Sequence, residues 1–143
     1  MVILDTDHLT VIQRQSEPSF SFVSAGLSRT PPSEIYTTII NVEEQMRGWL
    51  AVISRANKPP QQIAAYLRLH ALFSFFAATP VLDFDQSAAN IFAQLRRSRI
   101  RFGSMDLKIA AIALSRDATL LSRNLIDFRR IPGLKIEDWT QGE

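Results

Sequence analysis

The chain has 143 residues, 46% of them hydrophobic, with a formal net charge of +2 and no cysteine. Its length suits one hydrophobic core, so residues 1–143 read as a single domain, and the lack of cysteine excludes disulfides, thiolate zinc sites and a cysteine nucleophile, as suits a cytoplasmic protein. The mild positive charge permits a nucleic-acid partner without requiring one.

The opening MVILDTDHL has an acid at position 5 and no basic run before it, so it does not read as a signal peptide. Val2–Leu4 reads as a short buried strand and Asp7–Gln15 as a helix. Ser28–Glu34 and Arg55–Gln62 each hold a Pro-Pro pair among polar residues and read as loops. Between them, Ile35–Ile40 is β-branched enough for a strand, and Val42–Ser54 places Met46, Leu50 and Ile53 on one helical face. Gln62–Ala78 is apolar without Gly or Pro and predicts a helix buried around much of its circumference, carrying Phe73, Phe75 and Phe76 into the core or onto a partner. The apolar stretch Leu67–Leu82 is broken by Arg68, His70 and Pro80 and is too short to span a membrane. Val81–Leu82 predicts a strand, Asp85–Arg97 an amphipathic helix, and Met105–Ser115 a helix capped by Ser104. Thr119–Ser122 and Lys135–Trp139 complete the strands.

Apolar strands alternating with helices predict an α/β fold around a mostly parallel sheet, with ligands beyond the carboxyl ends of the strands. Acids and an amide fall there: Asp5 after the first strand, Glu43 and Glu44 opening the helix after the second, Asp106 in a first helical turn, and Asn124 and Asp127 after TLLS. Gathered together, such groups resist ionising unless a hard cation neutralises them, and Mg2+ or Mn2+ suits an oxygen-only site. Each also has a structural reading: Asp5 as a cap or turn former, Glu43, Glu44 and Asp106 as complements of a helix dipole, Asp127 as a solvated loop acid. Spacing along the chain does not show that they converge.

Four blocks carry a resemblance. MVILDTDHL resembles the opening of PIN-domain ribonucleases, and IINVEEQMRG is similar to their second motif, whose register to Gly48 selects Glu44 over Glu43. GSMDLKIAAIAL resembles the third, where a loop delivers Asp106 to an apolar helix, and LLSRNLIDFRRIPGLKIEDW resembles the fourth and the tail. In family order and spanning nearly the whole chain, they look like the VapC-type toxins of bacterial toxin–antitoxin pairs. The resemblance implies a PIN-like three-layer α/β/α sandwich, Mg2+ or Mn2+, cleavage of RNA phosphodiesters, inhibition by a small antitoxin protein, and a homodimer. It implies Asp5, Glu44 and Asp106 as catalytic metal-coordinating acids, with Asn124 and Asp127 as further candidate ligands. The chain departs at Asn124, where many members carry Asp.

Arg96, Arg97, Arg99 and Arg101 form the one dense basic run, either a solvated helix end or an RNA backbone contact beside Asp106. His8 and His70, the only histidines, are too few for a zinc site, and His8 reads as structural. The five glycines are isolated, so no phosphate loop is present. Two other functions remain open: a catalytically weak PIN-like module that binds RNA or protein, and a different metal-dependent phosphohydrolase.

Overall fold

In a computed structural model describing residues 1–142, the strands are β1 (Val2–Leu4), β2 (Ile35–Thr38), β3 (Val81–Leu82), β4 (Thr119–Leu121) and β5 (Lys135–Glu137). The helices are α1 (Thr6–Arg14), α2 (Ser19–Ser28), α3 (Ile39–Arg55), α4 (Pro59–Ala78), α5 (Gln86–Arg97), α6 (Ser104–Ser115) and α7 (Leu125–Phe128). The strand order is β3-β2-β1-β4-β5, and every pairing is parallel, among them Ile3 with Tyr36 and with Leu120. The chain builds outward from β1 through β2 to β3, then crosses back to lay β4 on the other side. That reversal opens a crevice at the carboxyl end of β1, where Asp5 follows directly.

Residues of one strand alternate between faces. Ile3 and Leu120 turn to a core shared with α5 and α6, while Val2, Leu4 and Leu121 turn to a second core with Leu9, Leu27 and Trp139. The result is the α/β/α sandwich. Helix α6 is sunk deepest, with Leu107 and Ile109–Ala113 all buried. Such burial makes its first turn a rigid mount for Asp106.

The fold departs from expectation at several places, helix α7 among them. Thr38 ends β2, because its hydroxyl accepts the Asn41 N–H at 3.2 Å and caps α3, so Ile39 and Ile40 join the helix. Glu43 and Glu44 therefore lie in the second turn of α3 and do not open it. Pro59 and Pro60 start α4, since Pro suits a position whose N–H has no helical partner. Gly103, not Ser104, caps α6. Helix α2, which no stripe in the sequence signals, packs Gly26 so tightly on Trp139 that a Cβ would lie 2.5 Å from the indole.

The largest departure is α4. Only Ala65 and Leu72 are buried along it, and Ile63, Tyr66, Leu67 and Phe73 are exposed, Phe73 at 68%. The helix pairs with α3, and only Phe75 and Phe76 near its end reach the core under the sheet. Among the described residues, no helix is long and apolar enough to cross a membrane.

Candidate active site

Asp5 is the best-anchored acid. It is 7% exposed, and its Oδ1 accepts the Thr6 N–H at 2.8 Å and the Asn41 amide at 2.9 Å. Its Oδ2 accepts the Ser122 hydroxyl at 2.7 Å. These donors come from the segments that follow β1, β2 and β4, Asn41 from the first turn of α3, so the three central strands jointly fix one carboxylate. Asn41 is itself held by the Thr38 hydroxyl at 2.6 Å, and the Thr37 hydroxyl donates to the Leu4 carbonyl at 2.8 Å. Burial nevertheless pushes the Asp5 pKa up, and nearby Asp7 adds to that, against the lowering effect of Ser122, Thr6 and Asn41.

Glu44 comes from α3, and its Oε2 accepts the Thr6 hydroxyl at 3.0 Å. Its other oxygen, Oε1, is buried with no hydrogen-bond partner. Burial, relieved in part by Thr6 and reinforced by Asp5, Asp106 and Glu43, raises the Glu44 pKa to about 7. Glu43 turns away and pairs with Arg47 at 2.6 Å across one helical turn. Asp106, in the first turn of α6, is raised to about 6 by burial and then by Asp5, Asp127 and Asp7.

Asp7 completes the group and is absent from the site residues expected from sequence. Burial would raise its pKa, but hydrogen bonds from His8, the Arg123 N–H and Ser122 outweigh it and hold the carboxyl below its usual range. His8 is fully buried. Its Nε2 accepts the Trp139 N–H at 3.1 Å, which leaves the ring proton on Nδ1 to donate to Asp7 at 2.6 Å. The imidazole thus ties the end of the chain to the crevice, a structural role as read from sequence. The repeated acid of Asp-Thr-Asp signals Asp7, whereas nothing in the apolar run around Asn41 signals its part.

Asn124 and Asp127 lie at the start of α7. The Asn124 amide donates to Asp127 at 3.1 Å, and Arg130 approaches the same carboxylate at 3.8 Å. Asp127 is near enough to Asp106 to raise its pKa. Arg96, Arg97, Arg99 and Arg101 are all exposed at the end of α5 and in the loop before α6, with Arg96 5.4 Å from the Phe92 ring centre. Arg123, in contrast, is bonded to Thr140 and Ser19 and braces the fold.

The fold therefore brings Asp5, Asp7, Glu44, Asp106 and Asp127 into one electrostatically coupled group at the switch point. Among the described residues, no three of them close on a single point as a finished cage. The group still fits a hard cation. A buried carboxylate oxygen without a donor and three carboxyls with raised pKa values, Asp5, Glu44 and Asp106, are positions short of positive charge. Because Glu44 and Asp106 hold protons more tightly folded than unfolded, their charged forms oppose folding. Their contribution to stability is fullest below their ordinary pKa values and is lost as pH rises through about 6 to 7, while Asp7, with its lowered pKa, contributes in the opposite sense.

Relatives share this architecture. A tRNA(fMet)-specific endonuclease VapC of Salmonella typhimurium is 37% identical over 83 residues, 55% of this chain and 63% of the relative. The chain thus spans under two thirds of that relative's length. A ribonuclease VapC1 of Rickettsia felis is 25% identical over 136 residues, 94% of this chain and 93% of its own. In the crystal structure of DNA-bound VapBC from Salmonella typhimurium, a chain superposes with a TM-score of 0.76 at 27% identity, covering 96% of this chain and 97% of that one. The sequence pattern of the PIN domain matches residues 2–134, from the first strand to the residue before the last, and the chain belongs to the PIN domain family.

Proposed function

We propose that this chain is a metal-dependent endoribonuclease and the toxin half of a toxin–antitoxin pair, acting in the cytoplasm as a single nuclease domain. The observation that carries this is the coupled carboxylate group at the switch point, with the Glu44 oxygen buried and unpartnered. The similar proteins named as VapC endonucleases and ribonucleases support RNA as the substrate. The VapBC assembly, of a family of toxin–antitoxin systems, supports a small antitoxin partner, and a homodimer belongs to the same proposal.

Asp5, Glu44 and Asp106 would hold Mg2+ or Mn2+, which when bound supplies an activated water and offsets charge building on the phosphate. Asp5 is immobilised by its three donors, so it costs little reorganisation to present the same oxygens at each turnover. Glu44 and Asp106 bring the unmet negative charge. Asp127 is hydrogen-bonded by Asn124, is partly neutralised by Arg130, and acts on the ion through a water. The exposed arginines from Arg96 to Arg101 hold RNA phosphates that the acids alone would repel. One observation favours the alternative of a binding module that does not cleave: Asn124 supplies an amide that is engaged with Asp127. Cleavage assays on RNA and DNA separate the readings, since the third, a DNA-directed phosphohydrolase, would prefer DNA.

RNA cleavage should require Mg2+ or Mn2+ and stop in excess EDTA. Asp106→Asn should lower it by at least about 100-fold with the fold intact, and Asp127→Ala by about 10-fold, as for residues behind the ligands. Chelator-resistant cleavage, or a near-normal Asp106→Asn, would contradict the mechanism. The arginine run is tested by salt titration of RNA binding. Replacing Arg97 and Arg99 with Ala should lower the logarithmic salt slope by about 0.7 for each phosphate no longer neutralised. An unchanged slope returns these residues to a solvated helix end. Finally, a cation must displace the protons that Glu44 and Asp106 hold. Mg2+ should therefore raise the melting temperature strongly at pH 8 and hardly at all at pH 5. Equal shifts at both pH values would place the ion elsewhere.

A further inference from the structure

A cavity of about 460 Å3 opens beside the carboxylates, walled by α1, α3 and α4. Thr6 and Glu44 belong to both places: they line the cavity and are joined by the 3.0 Å hydrogen bond at the edge of the acid group. Next to Glu44, Gln13 and Gln45 exchange reciprocal amide hydrogen bonds of 2.8 and 2.9 Å. Each amide has a partner, and the pair fixes the spacing of α1 and α3 along the cavity wall. Gly48 also lines the cavity, and a Cβ there would meet nothing within 4 Å, so this wall is open.

The chemistry of the lining changes sign away from Glu44. Arg14 from α1 and Arg68 from α4 line the cavity, and among the described residues neither forms an ion pair or a side-chain hydrogen bond. Trp49, half-buried on α3, supplies an aromatic surface in the same space. An anion held only by acids would be repelled. A chain that alternates phosphates and flat bases matches a carboxylate group adjoining an indole and two free guanidinium groups. Single-stranded RNA is gripped in this way, with bases stacked on aromatic rings and phosphates on arginines. The volume lies in the range of small-ligand pockets and suits one nucleotide.

We propose that this cavity is a nucleotide subsite, which takes the RNA residue adjoining the scissile phosphate, its base against Trp49 and its phosphate with Arg14 and Arg68. The proposal rests on the ribonuclease reading and extends it: part of the sequence preference is set by α1, α3 and α4, away from the cation-holding acids.

The test is cleavage kinetics on a single-stranded RNA with a mapped cleavage site, and on a set of the same RNA made abasic at one flanking position at a time. The unmodified protein should lose about 10-fold or more in kcat/KM at one such position. Trp49→Leu should lose a similar factor on intact RNA and nothing further on that abasic RNA. Arg14→Gln and Arg68→Gln should raise KM more than they lower kcat. These arginines are exposed, so the variants test the proposal even where Trp49→Leu fails to fold. Multiplicative losses at every abasic position, or unchanged KM in both arginine variants, would overturn the subsite while leaving the ribonuclease reading intact. Loss of binding to a protein partner with RNA cleavage unchanged would also overturn it, assigning the cavity to that partner. If the unmodified protein cleaves no RNA with Mg2+ or Mn2+, the ribonuclease reading itself fails, and the subsite with it.

Discussion

Like charge held close at the carboxyl end of the central strand is the constraint around which this molecule is organised. Asp5 leaves β1 where the order of the strands reverses, and donors following β1, β2 and β4 converge on its two oxygens. Three hydrogen bonds offset much of the cost of burying one carboxylate. They do nothing for Glu44 and Asp106, which the same geometry brings close enough to be raised by Asp5. The site is thus asymmetric: the fold's hydrogen bonds converge on Asp5, whose pKa burial still raises, while Glu44 and Asp106 are left with far fewer donors.

The rest of the fold keeps that arrangement from relaxing. Helix α6 is buried along nearly its whole length, so Asp106 cannot retreat without disturbing the core. Asp7 is bonded to His8, and His8 to the Trp139 N–H, so the segment after β5 is locked to the helix after β1. Trp139 in turn lies on Gly26 of α2, where a side chain would collide with it. Parts remote in sequence therefore brace the acids mechanically, while α4 stands with its apolar side chains exposed.

How much of this the sequence discloses depends on the range of the forces involved. Strands β1 and β4 and helices α5 and α6 are legible because local periodicity and apolar runs define them. The ends of β2 and α3 are less so, since one side-chain bond from Thr38 decides where strand becomes helix. Helix α2 escapes notice because it carries no apolar stripe and part of its packing, Gly26 on Trp139, comes from near the other end of the chain. Helix α4 misleads in the opposite sense: an apolar sequence reads as buried, and burial depends on neighbours the sequence does not name. At the site, the acids are visible at strand ends, and the resemblance to PIN domains distinguishes Glu44 from Glu43. The groups that hold them are not visible, because Asn41 reaches Asp5 across 36 residues and Trp139 reaches His8 across 131.

A site built on unmet charge should oppose folding when no cation is present. Asp106 tests this most cleanly, because burial and three neighbouring carboxylates account for its raised pKa. Asp106→Asn removes the charge and nearly preserves the shape, against a small loss of dipole complement at the start of α6. The decisive measurement is the denaturant midpoint of this variant beside the unmodified chain, in EDTA, at pH 8 and at pH 5. A variant more stable than the original at pH 8, with a clearly smaller gain at pH 5, where the folded carboxyl has taken up its proton but the unfolded one has not, is the predicted result. A variant less stable at pH 8 would contradict the claim that these carboxylates are held together at the expense of the fold.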